Sequence, residues 1–226
     1  MKLFLDSADT ESIISRYTTG LLSGVTTNPT LIKKSGRNPQ DVYKELIEAG
    51  VADISMEVVG DSEEELFTNA MGHVKTYSEY ATIKLPCSVD GLRVCKRLSM
   101  VNVRTNVTLI FSASQAILAS LAGATYISPF VGRMDDNSLD GMKLINDISN
   151  TINSNSIFVE KKTQILAAAI RDPQSVSTAF ALGADICTVP TAVFDRMYDH
   201  VLTDKGISTF NKDFEEIGKK TDQISN

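Results

Sequence analysis

Gly123-Ala124-Thr125-Tyr126-Ile127-Ser128-Pro129 and, later, Gly183-Ala184-Asp185-Ile186-Cys187-Thr188-Val189-Pro190 read as one phrase written twice. In each, a glycine supplies the left-handed stop of a helix, an alanine follows, and a short apolar run ends at a proline that cannot donate to a sheet. The phrase predicts a helix followed by a buried strand, repeated. Working outward, the same alternation covers the chain. Strands are predicted at Leu3-Phe4-Leu5, Leu22 to Thr26, Ile54 to Val59, Ala81 to Pro86, within Asn102 to Phe111, Ala124 to Pro129, Ile165 to Ile170 and Ile186 to Val189. Ile157-Phe158-Val159 competes for the seventh place. Helix starts are marked by Asp9, by the capping boxes Ser62–Glu65 and Ser112–Gln115, and by Asp172-Pro173. Leu66, Ala70, Val74 and Tyr77 repeat at helical spacing, and another helix is expected from Leu139 to Ile152.

Eight strands separated by helices require a parallel sheet with right-handed crossovers. The 226 residues give about 28 per unit, the scale of one βαβ step. The expected fold is α/β: a single-domain (β/α)8 TIM barrel over residues 1–226, with an additional C-terminal helix at 204–221. An open doubly wound sheet is the rival, but the first strand is followed by neither Gly-x-Gly-x-x-Gly nor a Walker loop.

Composition narrows the function. Hydrophobic residues make up 42%, charged residues 22%, and the net charge is −6, which fits a globular chain and not a disordered one. A pI near 5.0 argues against nucleic acid as the main partner. No apolar run approaches about 18 residues, and the N-terminus lacks the form of a signal peptide, so no membrane is expected and the location is expected to be cytoplasmic. Cys87, Cys95 and Cys187 read as reduced thiols, and with two histidines, His73 and His200, the chain is short of parts for a metal site or a Ser-His-Asp triad.

In a barrel the chemistry sits where strands end. Lys84 lies in Thr82-Ile83-Lys84-Leu85-Pro86, where alternation sends Ile83 and Leu85 to the helices and Lys84 into the lumen. A desolvated amine has a lowered pKa and attacks carbonyls, which is Schiff-base chemistry. The plainer reading is a lysine that snorkels to the rim or pairs with an acid. Asp6 and Glu57 end strands one and three and would serve such a lysine as proton carriers, although Asp6 is equally placed to cap the first helix. Thr26-Thr27-Asn28-Pro29 is a polar turn. Arg133 and Arg171 follow strands six and seven, as a phosphate clamp or as solvated charge.

These segments together resemble the transaldolase family, in its short-subunit branch that includes the fructose-6-phosphate aldolases. The resemblance rests on Leu3-Phe4-Leu5-Asp6, Gly24-Val25-Thr26-Thr27-Asn28-Pro29-Thr30, Ile83-Lys84-Leu85-Pro86, Asn106-Val107-Thr108-Leu109-Ile110-Phe111-Ser112 and Ser128-Pro129-Phe130-Val131-Gly132-Arg133, in order along nearly the whole chain. It implies a Schiff base on Lys84, proton abstraction from the C4 hydroxyl by Asp6, and a catalytic water held by Glu57 and Thr108. It implies that Asn28 and Asn106 bind the dihydroxyacetone unit with Ser128 beside them, that Thr26 and Phe130 also line the substrate, and that Arg133 and Arg171 bind phosphate. Where the family often has serine two residues before the second arginine, this chain has Ala169.

The activity implied is transfer of a dihydroxyacetone unit between sugar phosphates in the pentose phosphate pathway, without cofactor or metal. The alternatives are a fructose-6-phosphate aldolase that releases dihydroxyacetone and a barrel that only binds sugar phosphates. Phe130 and Glu57 are the pair the resemblance associates with transfer, against tyrosine and glutamine in the aldolases. Ile207, Phe210, Phe214 and Ile217 mark one helix face that needs a covering surface. The resemblance implies a homo-oligomer, pentamer or decamer, in which this helix lies on a neighbour; packing on its own barrel is the alternative.

Overall fold

Eight parallel strands, hydrogen-bonded in chain order, close on themselves: β1 (Lys2–Asp6), β2 (Leu22–Thr26), β3 (Ile54–Glu57), β4 (Ala81–Pro86), β5 (Thr105–Ile110), β6 (Tyr126–Pro129), β7 (Gln164–Ala167) and β8 (Ile186–Val189), with β8 paired back to β1. The computed structural model describes residues 1–155 and 163–224, which fall into two units, Met1–Phe194 and Asp195–Asn226. The helices are α1 (Thr10–Tyr17), α2 (Pro29–Ser35), α3 (Pro39–Glu48), α4 (Glu63–Tyr77), α5 (Val89–Met100), α6 (Ala113–Leu121), α7 (Val131–Asp136), α8 (Gly141–Asn155), α9 (Pro173–Ala181), α10 (Thr191–Arg196) and α11 (Val201–Ile224), the last being the extra C-terminal helix. Among the described residues no helix is long and apolar enough to cross a membrane.

Local chemistry accounts for the element starts. Asp9, Ser62, Ser112 and Asp172 accept from the backbone N–H groups of Ser12, Glu65, Gln115 and Ser175, as their sequence contexts predict. Gly123 and Gly183 close α6 and α9 at φ of 87° and 101°. Asn28 and Asn38 cap α2 and α3 ahead of a proline at the first turn; the sequence reading treats Asn28-Pro29 only as a turn.

Several boundaries differ from expectation: β6 starts at Tyr126 and not Ala124, and the C-terminal helix runs Val201–Ile224 in place of 204–221. The third strand ends at Glu57, not Val59, and α8 runs Gly141–Asn155 in place of Leu139 to Ile152. The seventh strand is Gln164–Ala167 in place of Ile165 to Ile170. Its continuation is broken at Ala169, whose φ of 59° is incompatible with an extended ladder. The competing Ile157-Phe158-Val159 lies outside the described residues.

Strand alternation sorts the side chains into two cores. One lies between sheet and helices and includes Leu5, Val25, Met56, Ile83, Leu85, Val107, Ile127, Ile165 and Val189. The other, of Phe4, Tyr126, Leu166, Ala168 and Ile186, fills the lumen. Gly24 faces Phe4 from β2. A Cβ there would fall 2.7 Å from the Phe4 ring and 2.7 Å from the Asp53 carbonyl, so only glycine admits that ring. At the N-terminal end, buried Asp53 accepts from the Thr82 hydroxyl (2.7 Å), the Tyr126 phenol (2.7 Å) and the Arg104 guanidinium (3.1 Å). Burial and the Asp53 carboxylate together raise the Tyr126 pKa.

Candidate active site

The C-terminal half of the lumen is polar. Parallel register aligns Asp6 with Thr26, Thr26 with Ser55, Glu57 with Lys84, Lys84 with Asn106, and Pro86 with Thr108. Because alternate residues share a face, β1 to β6 send Asp6, Thr26, Glu57, Lys84, Asn106, Thr108 and Ser128 inward together.

Lys84 is the centre of this set. Its side chain is 6% exposed, and Nζ lies 3.0 Å from Glu57 Oε2 and donates to the Thr27 carbonyl at 3.0 Å. An ammonium lost from water is costly unless such acceptors replace its hydration. The lysine therefore points inward and pairs with an acid at once, so the two sequence readings of Lys84 merge. Asp6 accepts from the Thr26 hydroxyl at 2.8 Å. Asp9, not Asp6, caps α1, which removes the capping reading of Asp6. Burial holds the Asp6 carboxyl above its ordinary pKa, against the opposing pull of Lys84 and the Thr26 hydrogen bond, while Glu57 adds to the rise.

Around them, Asn106 donates to Ser55 Oγ at 3.1 Å and accepts from Ser128 Oγ at 2.7 Å. Both ends of the buried amide are thereby fixed. Thr108 Oγ1 is buried with no hydrogen-bond partner among the described residues. Asn28 follows β2, its Oδ1 accepting from Leu31 N–H at 2.9 Å as the cap of α2.

The rim above β6 and β7 carries the rest. Phe130 bridges to Ala168 and meets Phe111 edge-on, ring centroids 5.9 Å apart. The Arg133 guanidinium, exposed on α7, lies 5.8 Å from the Phe130 ring centre. Arg171 makes a two-point ion pair with Asp136, which holds that carboxyl below its usual range. Arg133 adds its charge to the same acid. The two arginines thus share one rim, with Arg171 already engaged. Leu109 and Ala169, both at φ 59°, turn the chain sharply at the ends of β5 and β7; non-glycine residues there carry strain of about 1–2 kcal/mol each.

The family model described as Transaldolase/Fructose-6-phosphate aldolase matches residues 3–224. The chain belongs to this family. Proteins called probable transaldolase are similar to it over nearly their full length. That of Paracoccus denitrificans is 46% identical over 220 residues (97% of this chain, 99% of the relative), and that of Cereibacter sphaeroides 44% over 219 (97% and 98%). The Nitrosopumilus maritimus protein is 41% identical over 224 residues (99% of each). Among solved structures, FabK from Thermotoga maritima superposes with a TM-score of 0.54 at 14% identity, over 83% of this chain and 57% of that one, a likeness of fold alone.

The sequence reading gives no individual role to four residues that hold this set in place. The Thr27 carbonyl receives Lys84, and the Thr27 hydroxyl is itself held by the Ser55 carbonyl (2.9 Å) and the Tyr43 phenol (3.2 Å). Ser55 also steadies Asn106, and Thr188 lies 2.6 Å from Thr26. Thr27 lies just past β2, Tyr43 on α3, and Ser55 and Thr188 in strands; their partners come from remote segments, so no local signal marks them.

Proposed function

We propose that this protein is a transaldolase that moves a dihydroxyacetone unit from a ketose phosphate (sedoheptulose 7-phosphate or fructose 6-phosphate) to an aldose phosphate (glyceraldehyde 3-phosphate or erythrose 4-phosphate), as in the pentose phosphate pathway. The observation that carries the reading is the buried Lys84 amine, held between Glu57 and the Thr27 carbonyl and facing Asp6 across the lumen mouth.

Attack on the ketose carbonyl needs a neutral amine, and Glu57 is placed to take the proton from Nζ. Loss of water then gives the iminium. Thr108, with a buried hydroxyl open to a partner, supports a water shared with Glu57 that carries protons in this step. Asp6 removes the proton of the C4 hydroxyl as the C3–C4 bond breaks. The bonding pair flows into the iminium, giving an enamine on Lys84 and a free aldehyde. A second aldehyde accepts the enamine, and the steps run in reverse. Asn28, Asn106 and Ser128 hold the transferred hydroxyls, Thr26 orients Asp6, and Arg133 with Arg171 receives the phosphate. Phe130 presents no acidic proton beside the enamine, which favours its capture by an aldehyde over protonation and release. All of this takes place without a metal or cofactor in the cycle.

Support for a homo-oligomer comes from α11, where Ile207, Phe210, Phe214 and Ile217 are 53–77% exposed. A pentamer or decamer would cover that face on a neighbouring subunit. The cysteines fit a reducing, cytoplasmic setting: all three are free, and burial pushes the Cys187 thiol up to about 12.

Incubation with fructose 6-phosphate and borohydride tests the reading. Peptide mapping should place the reduced adduct on Lys84, and Lys84→Arg should remove it. No adduct, or an adduct on Lys33, Lys34 or Lys75, would refute it.

A further inference from the structure

We propose that Thr188 is a positioning residue whose hydroxyl, acting through Thr26, supports the ionised carboxylate of Asp6. The inference rests on the reading of Asp6 as the base of the transfer reaction.

Three adjacent strands, β8, β1 and β2, supply the parts. Thr188 lies opposite Phe4 and Thr26 opposite Asp6 in the register. Thr26 Oγ1 is 2.8 Å from Asp6 Oδ1 and 2.6 Å from Thr188 Oγ1, and both threonines are buried. The result is a line of hydroxyls ending on the carboxyl. Each hydroxyl holds one proton and can accept others. With Asp6 ionised, Thr26 donates to Asp6 and Thr188 donates to Thr26. A protonated, neutral Asp6 draws less on this line of donors than the carboxylate does.

Without an oxygen at 188, Thr26 keeps its bond to the carboxylate but loses the donor that polarises its own hydroxyl. The ionised acid is thus penalised more than the protonated one, and Asp6 holds its proton to higher pH. The charged groups facing Asp6 are Lys84 from β4 and Glu57 from β3; β2 meets it with the Thr26 hydroxyl, which Thr188 of β8 meets in turn. Neither charge is altered by a change at 188.

The test is the pH dependence of kcat for transfer from fructose 6-phosphate to erythrose 4-phosphate. Thr188→Val should move the acid limb to higher pH by roughly half to one unit and so lower turnover on that limb roughly three- to tenfold. KM and the yield of borohydride-trapped imine should stay at the unmodified level. Thr188→Ser should restore the limb. Thr188→Ala, read against Thr188→Ser, isolates the hydroxyl should the valine variant not fold. An unmoved acid limb in the variants lacking the hydroxyl, or an equal shift in the serine variant, would overturn the proposal. Asp6→Asn is run alongside: its near-normal turnover would instead remove the base assignment itself.

Discussion

Asp53 at the N-terminal end of the barrel receives three donors, from Thr82, Tyr126 and Arg104. At the C-terminal end, Lys84 and Asp6 are held by fewer contacts, Thr108 has no partner among the described residues, and Leu109 and Ala169 adopt strained backbone. Both ends bury charge. One satisfies it within the protein, and the other leaves hydrogen-bonding capacity unmet. The contrast teaches that polarity in the lumen is not of one kind: the lower network joins strands through satisfied bonds, and the upper one keeps the capacity that the proposed reaction needs.

Substitutions at the two ends should therefore fail in opposite ways. Asp6→Asn should cut turnover about 10²–10⁴-fold, read in a coupled assay. It should not lower stability. The Asp6 pKa is raised in the folded protein, so the folded state binds its proton more readily than the unfolded chain does. Asp6 therefore costs stability as pH rises from the ordinary carboxylate value through its raised folded value, and the cost persists above it. Urea melts on either side of that window should show this slope in the unmodified protein and its loss in Asp6→Asn. A destabilised, active Asp6→Asn would erase the contrast.

Asp53→Ala should do the reverse. It strands two buried hydroxyl donors and a partly exposed guanidinium, and a loss of about 3 kcal/mol in urea unfolding is expected, with turnover per folded molecule retained. A large loss of turnover in the folded variant would show that the lower network serves the chemistry. Smaller effects sharpen the upper end. Arg133→Ala should raise KM for phosphorylated acceptors well above its effect on unphosphorylated ones, measured by initial rates; equal effects would separate Arg133 from phosphate. Phe130→Tyr should increase free dihydroxyacetone relative to transfer, read by product chromatography. Equal release and transfer by the unmodified protein would make the aldolase reading the better one.

The division between the ends also explains what the sequence reveals. The inward aim of Lys84, Asp6 and Glu57 is legible because strand parity is local and a lone lysine between Ile83 and Leu85 is conspicuous. Asp9, Ser62, Ser112 and Asp172 are legible because capping involves atoms three residues apart. The end of β7 is not, because Ala167-Ala168-Ala169-Ile170 looks like continuous strand, and an alanine gives no sign of the positive φ at Ala169. Asp53 looks like a loop acid before β3; its partners lie 29, 51 and 73 residues away. Thr27, Tyr43 and Thr188 are hidden for the same reason: their partners lie on other elements.

The pairing of β1 with β8 has a consequence in time. Lys2 to Leu5 cannot find Ile186 to Val189 until nearly the whole barrel has been synthesised. At about 5–20 residues per second, the first strand waits on the order of ten to forty seconds with one edge unpaired. During that interval Leu3, Phe4 and Leu5 form an apolar strand edge able to recruit another chain, and the growing protein is then most exposed to misassembly and most in need of a chaperone. The last strand made ends the hazard, because a closed barrel has no edge.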